Sequence, residues 1–182
     1  MTGETPVQYP DLWIKDREKQ NDAYKFLMEA TEKPVPWAGA VRDDVVKHLR
    51  DADNHNRAIA AQLLCDLAST DGTGRVLGGD LDALITITKD PKFVTARHSL
   101  KSLWKIGLAG EEPRHALLGV IAQRYRDSFA EKNGTLVRSD LAETLRQLHD
   151  ATSGPAVESI ARELIATEPD GKYRKKYLTF GK

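Results

Sequence analysis

Cysteine is almost absent from this chain. The one residue among 182, Cys65, excludes an internal disulfide and a thiolate metal cluster, and its apolar setting suits a buried structural thiol. Long apolar runs are missing as well. No stretch approaches about 18 apolar residues and no apolar segment follows a basic start. Neither a membrane span nor a secretory signal is therefore expected, and the expected compartment is the cytoplasm. Charge of one sign is also lacking: 27 Lys and Arg balance 27 Asp and Glu. No global field then draws the molecule to nucleic acid or to an anionic membrane, and any basic surface has to be local. Alternation with period two is absent over any useful length, which excludes strands. The histidines at 48, 55, 98, 115 and 149 form no His-Glu-x-x-His pair or comparable ligand spacing, so neither a metal nor another cofactor is expected. Gly72-Thr-Gly-Arg-Val-Leu-Gly78 superficially resembles a phosphate loop, but it lacks both the preceding strand and the following Gly-Lys-Ser/Thr, so it reads as a link. Asn133-Gly-Thr135 matches a glycosylation sequon and, without a secretory route, reads as a loop.

What the chain does contain is a repeat. Val45-Val-Lys-His-Leu-Arg-Asp51 and Leu84-Ile-Thr-Ile-Thr-Lys-Asp90 lie 39 positions apart, with the apolar pair, the basic residue and the closing aspartate in register. The same shift places Ala61, Leu64, Leu67 and Ala68 over Leu100, Leu103, Ile106 and Gly107. A fixed period of this size predicts stacked helical units that cannot bury their apolar faces alone. At 40% hydrophobic and 30% charged, the composition supports one packed domain.

Residues 1–19 mix Pro6, Pro10 and charges around Leu12-Trp13-Ile14, and read as an N-terminal arm that docks through Trp13. A first helix is predicted after Asn21 or Asp22, from Ala23, Phe26, Leu27 and Ala30, ending at Lys33-Pro-Val-Pro-Trp37. Helix pairs follow at about 40–50 with 54–68, 80–88 with 93–108, and 114–130 with 136–149. A fourth pair begins near Pro155, turns at Glu168-Pro-Asp-Gly171 and ends with a short helix from Tyr173. The domain reading is an arm over 1–19 and a helical-repeat domain over 20–182.

The turns and second helices of these pairs resemble HEAT repeats, with some overlap with the armadillo class. The resemblance rests on Asp53…Arg57-Ala-Ile-Ala-Ala61…Leu64…Leu67-Ala68, Asp90-Pro91…Leu100…Leu103…Ile106-Gly107, and Val137-Arg138…Leu141-Ala142…Leu145…Leu148, with a partial copy at Tyr173-Arg174…Tyr177-Leu178. It covers roughly 40–182. It implies an all-α fold: an α-solenoid superhelix of about three and a half helix pairs, whose second helices line a concave, ligand-binding face. The chain departs from the pattern at Ala96, which stands where copies one and three carry arginine, with Arg97 displaced by one position.

On the second helix of the second pair, residues that need not face the core are Arg97, His98, Lys101 and Lys105, beside Trp104. Spacings of four place Arg97, Lys101 and Lys105 on one side. A basic stripe beside an indole suits a phosphate, a carboxylate or an acidic peptide. The plainer account, which is favoured, is a solvated basic face with Trp104 partly in the core. A second candidate is Lys172-Tyr173-Arg174-Lys175-Lys176-Tyr177, where interleaved charges and rings suit a nucleic-acid backbone. Its plainer account, again favoured, is a polar terminal cap with the two tyrosines closing the last core layer.

The leading functional expectation is a non-catalytic binding or scaffold module that presents its second helices to a protein or peptide partner. The alternative is a DNA-binding protein similar to the HEAT-like alkylpurine glycosylases, for which Trp104, Asp66, Asp140 and Arg146 are the available residue types. The zero net charge weighs against nucleic acid. A small-molecule carrier or lyase-like helper is a third reading, for which nothing in the sequence selects a cofactor. No catalytic residues are assigned.

Overall fold

The computed structural model describes residues 3–70 and 74–179, and all regular structure among them is helical. The α-helices run α1 Arg17–Ala30, α2 Ala38–His48, α3 Asn54–Leu67, α4 Leu81–Ile87, α5 Phe93–Ser102, α6 Glu111–Asp127, α7 Gly134–Thr152, α8 Pro155–Ala166 and α9 Gly171–Tyr177. The glycine-rich link lies partly outside the described residues. Its described end is a single wide turn, Val76–Asp80, in which Gly79 takes φ 138°, a value that only glycine adopts without strain.

Helix α1 begins a turn earlier than apolar periodicity predicts. Asp16 caps it, accepting from the backbone N–H groups of Glu18 and Lys19. Its polar first turn is held by tertiary contacts, because the buried Gln20 donates to the carbonyl of Leu12 and to Asn56 Oδ1 at 2.7 and 2.8 Å. The chain before it winds as a 3-10 turn, Tyr9–Trp13. Leu12 is fully buried, Tyr9 donates to Asp44 at 2.8 Å, and Trp13 stacks on His48 with ring centroids 3.7 Å apart. Docking therefore involves three side chains rather than Trp13 alone.

The helices pack in a regular order. Helices α1, α3, α5, α7 and α9 touch one another in sequence, and α4, α6 and α8 do so in a second row. Between the rows the core is continuous from Leu12 and Leu27 through Leu64, Leu84, Leu103, Leu117 and Leu145 to Leu164. Each such side chain contributes roughly 1.5–3 kcal/mol on burial. The end of the predicted helix 93–108 winds as 3-10 helix, Leu103–Leu108. There Gly107 lies so close to α7 that a Cβ would fall 2.5 Å from Leu148 Cδ1.

Arginines tie neighbouring units together. Arg17 reaches Asp53 at 2.6 Å, and Arg57 holds Asp90 through two bonds of 2.7 and 3.0 Å while donating to the carbonyls of Asp51 and Ala52 in its own turn. Arg138 binds Glu168 at 2.5 Å. At the slot where Ala96 replaces arginine, the carboxylate of the following turn is served from the other row. The fully buried Arg124 of α6 makes two bonds of 2.7 and 2.9 Å to Glu131 and also donates to Thr88. Arg97 instead turns to α7.

Candidate functional site

Three clefts border the row of α1, α3, α5, α7 and α9, and together they receive all five candidates on the second helix of the second pair. The first, of about 360 Å³, lies between α5, α7 and α9 and is lined by Arg97, Lys101, Ser139, Asp140, Glu143 and Arg146, with Lys176 and Tyr177 from the C-terminal cluster. The second, of about 450 Å³, takes His98 together with Tyr24, His55 and Gln62. The third, of about 530 Å³, takes Trp104 and Lys105 with Thr31, Glu32, Pro34, Asp66, Ser69 and Leu108.

The basic stripe is thus divided, and helix geometry explains where. From Arg97 to Lys101 the backbone is α-helical, so both side chains reach the same face of α7. From Leu103 onward the 3-10 winding turns about 120° per residue instead of about 100°. Lys105 is thereby carried off the stripe and meets Asp66 of α3.

None of the three stripe cations is free. Arg97 makes two hydrogen bonds of 2.8 and 2.9 Å to Asp140, whose side chain is 2% exposed. Lys101 lies 3.3 Å from Glu143 and 4.0 Å from Asp140. Lys105 pairs with Asp66, which also accepts from Thr31 at 2.8 Å. Burial pushes the Asp66 carboxyl above its usual range, and the charge of Glu32 adds to this. The Lys105 pair and the Thr31 bond offset the rise only in part. His98 is shifted below its ordinary range, chiefly by burial and then by the charges of Lys101, Arg97 and His55. Imidazole therefore stays neutral in its cleft near pH 7.

The C-terminal cluster divides by side-chain type. Tyr177 is buried against Ala142 and Ile165 and donates to the carbonyl of Thr135 at 3.0 Å, with Tyr173 packed beside it. Lys172, Arg174, Lys175 and Lys176 are exposed. Of these cations Lys176 lines the first cleft, where it meets Arg97 and Lys101. Arg146 and Lys176 make no side-chain hydrogen bond or ion pair among the described residues, in contrast to Arg97 and Lys101.

Sequence reasoning did not foresee Asp140 as the acceptor for Arg97, because a contact across 43 positions between two helices leaves no local signal. The Asp66–Lys105 pair did carry one: the two residues are 39 positions apart, the period of the repeat itself. The residue types considered for DNA repair are separated, with Asp66 and Trp104 in the third cleft and Asp140 and Arg146 in the first. Among the described residues no His, Cys, Asp and Glu group has the arrangement of a metal site, and no helix is long and apolar enough to cross a membrane. In comparisons with known proteins, no family model and no curated protein matches the chain.

Proposed function

We propose that the chain is a HEAT-like α-solenoid acting as a non-catalytic binding module, and that its first cleft receives an acidic segment of a protein partner. The repeat reading is supported by polar contacts at nearly constant sequence separation along one row of helices. Tyr24 bonds Gln62 across 38 positions, Thr31 bonds Asp66 across 35, Thr95 bonds the Asn54 carbonyl across 41, and Thr144 bonds the Leu100 carbonyl across 44. Equivalent positions of successive units touching in this way are what a quasi-one-dimensional stack requires.

The observation that carries the binding reading is the charge balance of the first cleft. Among the described lining residues four cations, Arg97, Lys101, Arg146 and Lys176, face two carboxylates, Asp140 and Glu143. Both carboxylates are already engaged by Arg97 and Lys101. Arg146 and Lys176 are left with donors for an incoming anion, while the Ser139 hydroxyl beside them is bonded to Tyr177. Because these groups project from three different helices, a ligand that spans them reads the stack and not one helix. The proposed address is cytoplasmic.

Fluorescence anisotropy of a short labelled oligoglutamate peptide tests this, with the wild type, Arg146→Glu and Lys176→Glu, at low and moderate salt. Saturable, salt-sensitive binding that either substitution weakens about tenfold is expected. Labelled duplex DNA is titrated in parallel. Binding of DNA without binding of the peptide overturns the peptide reading in favour of nucleic acid, and binding of neither overturns the site.

A further inference from the structure

The third cleft differs from the first in both charge and walls. Among its described lining residues the ionisable groups are Glu32, Asp66 and Lys105, so two carboxylates face one ammonium. Lys105 is committed to Asp66, and its ammonium also lies 6.0 Å from the centroid of the Trp104 ring, so an incoming cation has to use the rest of the indole. Glu32 is exposed at the rim and its side chain makes no hydrogen bond or ion pair among the described residues. The remaining wall is apolar: the half-buried indole of Trp104, Pro34, and Leu108, which is 40% exposed. An indole face attracts cations through its quadrupole, more strongly where water is thinned by apolar neighbours. A site with one uncompensated negative charge, an indole wall and room of about 530 Å³ is complementary to a cation with an apolar sheath.

We infer that the cleft formed by Glu32, Asp66, Trp104 and Leu108 is a binding site for an alkylammonium group, carried either by a free small amine or by a methylated lysine side chain of a partner. Trp104 and Leu108 receive the alkyl shell, and Glu32 supplies the counter-charge, Asp66 being paired with Lys105. Burial chiefly raises the proton affinity of Asp66, with a smaller contribution from the charge of Glu32, and a second cation nearby would stabilise its ionised form. This site is independent of the acidic-segment reading: it lies between α1, α3 and the 3-10 turn after α5, shares no lining residue with the first cleft, and selects the opposite charge.

Isothermal titration calorimetry with choline, its neutral tert-butyl isostere and a trimethyl-lysine peptide decides the matter on the full chain. Choline is expected to bind at least about tenfold more tightly than the isostere. Glu32→Gln, an exposed change, is expected to weaken choline several-fold, and Trp104→Leu to weaken it about tenfold. A peptide that outcompetes choline identifies a partner's side chain as the source, whereas equal or weaker binding identifies a free amine. Equal affinity for choline and the isostere, no saturable binding of choline, or full binding by Glu32→Gln overturns the inference. As a second readout, carboxyl NMR should show Asp66 titrating at lower pH when choline is saturating. An unchanged titration places any bound choline elsewhere.

Discussion

Replacing Arg138 with methionine should expose how much of the stack depends on its inter-unit ion pairs. The Arg138 and Glu168 side chains are 7% and 2% exposed, and Nε donates to Glu168 Oε2 at 2.5 Å. The guanidinium also lies over Phe129 at 4.2 Å from the ring centroid. Methionine keeps much of the buried stem and its contact with Phe129, so the loss falls mainly on the charge. It leaves Glu168 buried without a partner, a change that typically costs about 3–5 kcal/mol. In a domain of this size each kcal/mol moves the melting temperature by about 2–4 °C, giving an expected fall of about 6–20 °C. Glu168→Gln alone should be milder, because a neutral amide still accepts a hydrogen bond from Arg138. The double variant should recover most of the loss, since an apolar–amide pair leaves no buried charge. Thermal melts followed by circular dichroism, with urea titrations for the free energies, supply the cycle. Single effects that simply add, or a melting temperature within about 2 °C of wild type for Arg138→Met, would refute the claim that this pair joins the third and fourth units.

Leu103 is fully buried, and Leu103→Ala should cost about 2–5 kcal/mol through lost transfer energy and the cavity left behind, so a neutral melt would contradict its place in the core. Burial pushes the Asp90 carboxyl up, but the Arg57 hydrogen bond, the Lys92 N–H and the charges of both residues together hold it below the usual 3.8. Its contribution to stability is therefore present above pH 3.8 and is lost as pH falls through the lowered folded-state value. Arg57→Leu should flatten this acid limb in urea titrations at stepped pH, and an unchanged slope would show that the pair does not couple to folding. Asp66, shifted the other way, opposes that limb: it binds its proton earlier in the folded state, so Asp66→Asn should steepen the loss. Cys65 is buried, and burial first, then the charge of Asp66, raises its thiol well above the ordinary range. A thiol reagent should leave it unmodified in native buffer and label it fully in denaturant, whereas rapid native labelling would show that α3 opens.

The helices were legible where apolar periodicity is local. Leu141, Leu145 and Leu148 announce α7, and Val157, Ala161 and Leu164 announce α8, because one face of each must find a core. The start of α1 was not legible. Its first turn is polar, and Gln20 is stabilised by Leu12 and Asn56, a contact that exists only once the chain has folded. The change of winding at Leu103 was hidden for the same reason, and it separates Lys105 from Arg97 and Lys101.

The sequence by itself pointed to a helical chain, to a sequence repeat near 39 positions, and to Arg97, Lys101, Lys105 and the basic C-terminal residues lying outside the inner core, with Trp104 partly in it. Those properties follow from side-chain type and spacing along one strand of covalent chain. Only the tertiary structure decided which charges remain available. It neutralised the stripe with Asp66, Asp140 and Glu143, and brought Lys176 beside Arg146 as cations without partners among the described residues. It also left Glu32 and the Trp104 indole facing one cleft of opposite charge. Net charge is a sum over residues, whereas a binding site is the local remainder after neighbours have paired, and pairing distances of 3–4 Å are set by how helices far apart in sequence come to rest against one another.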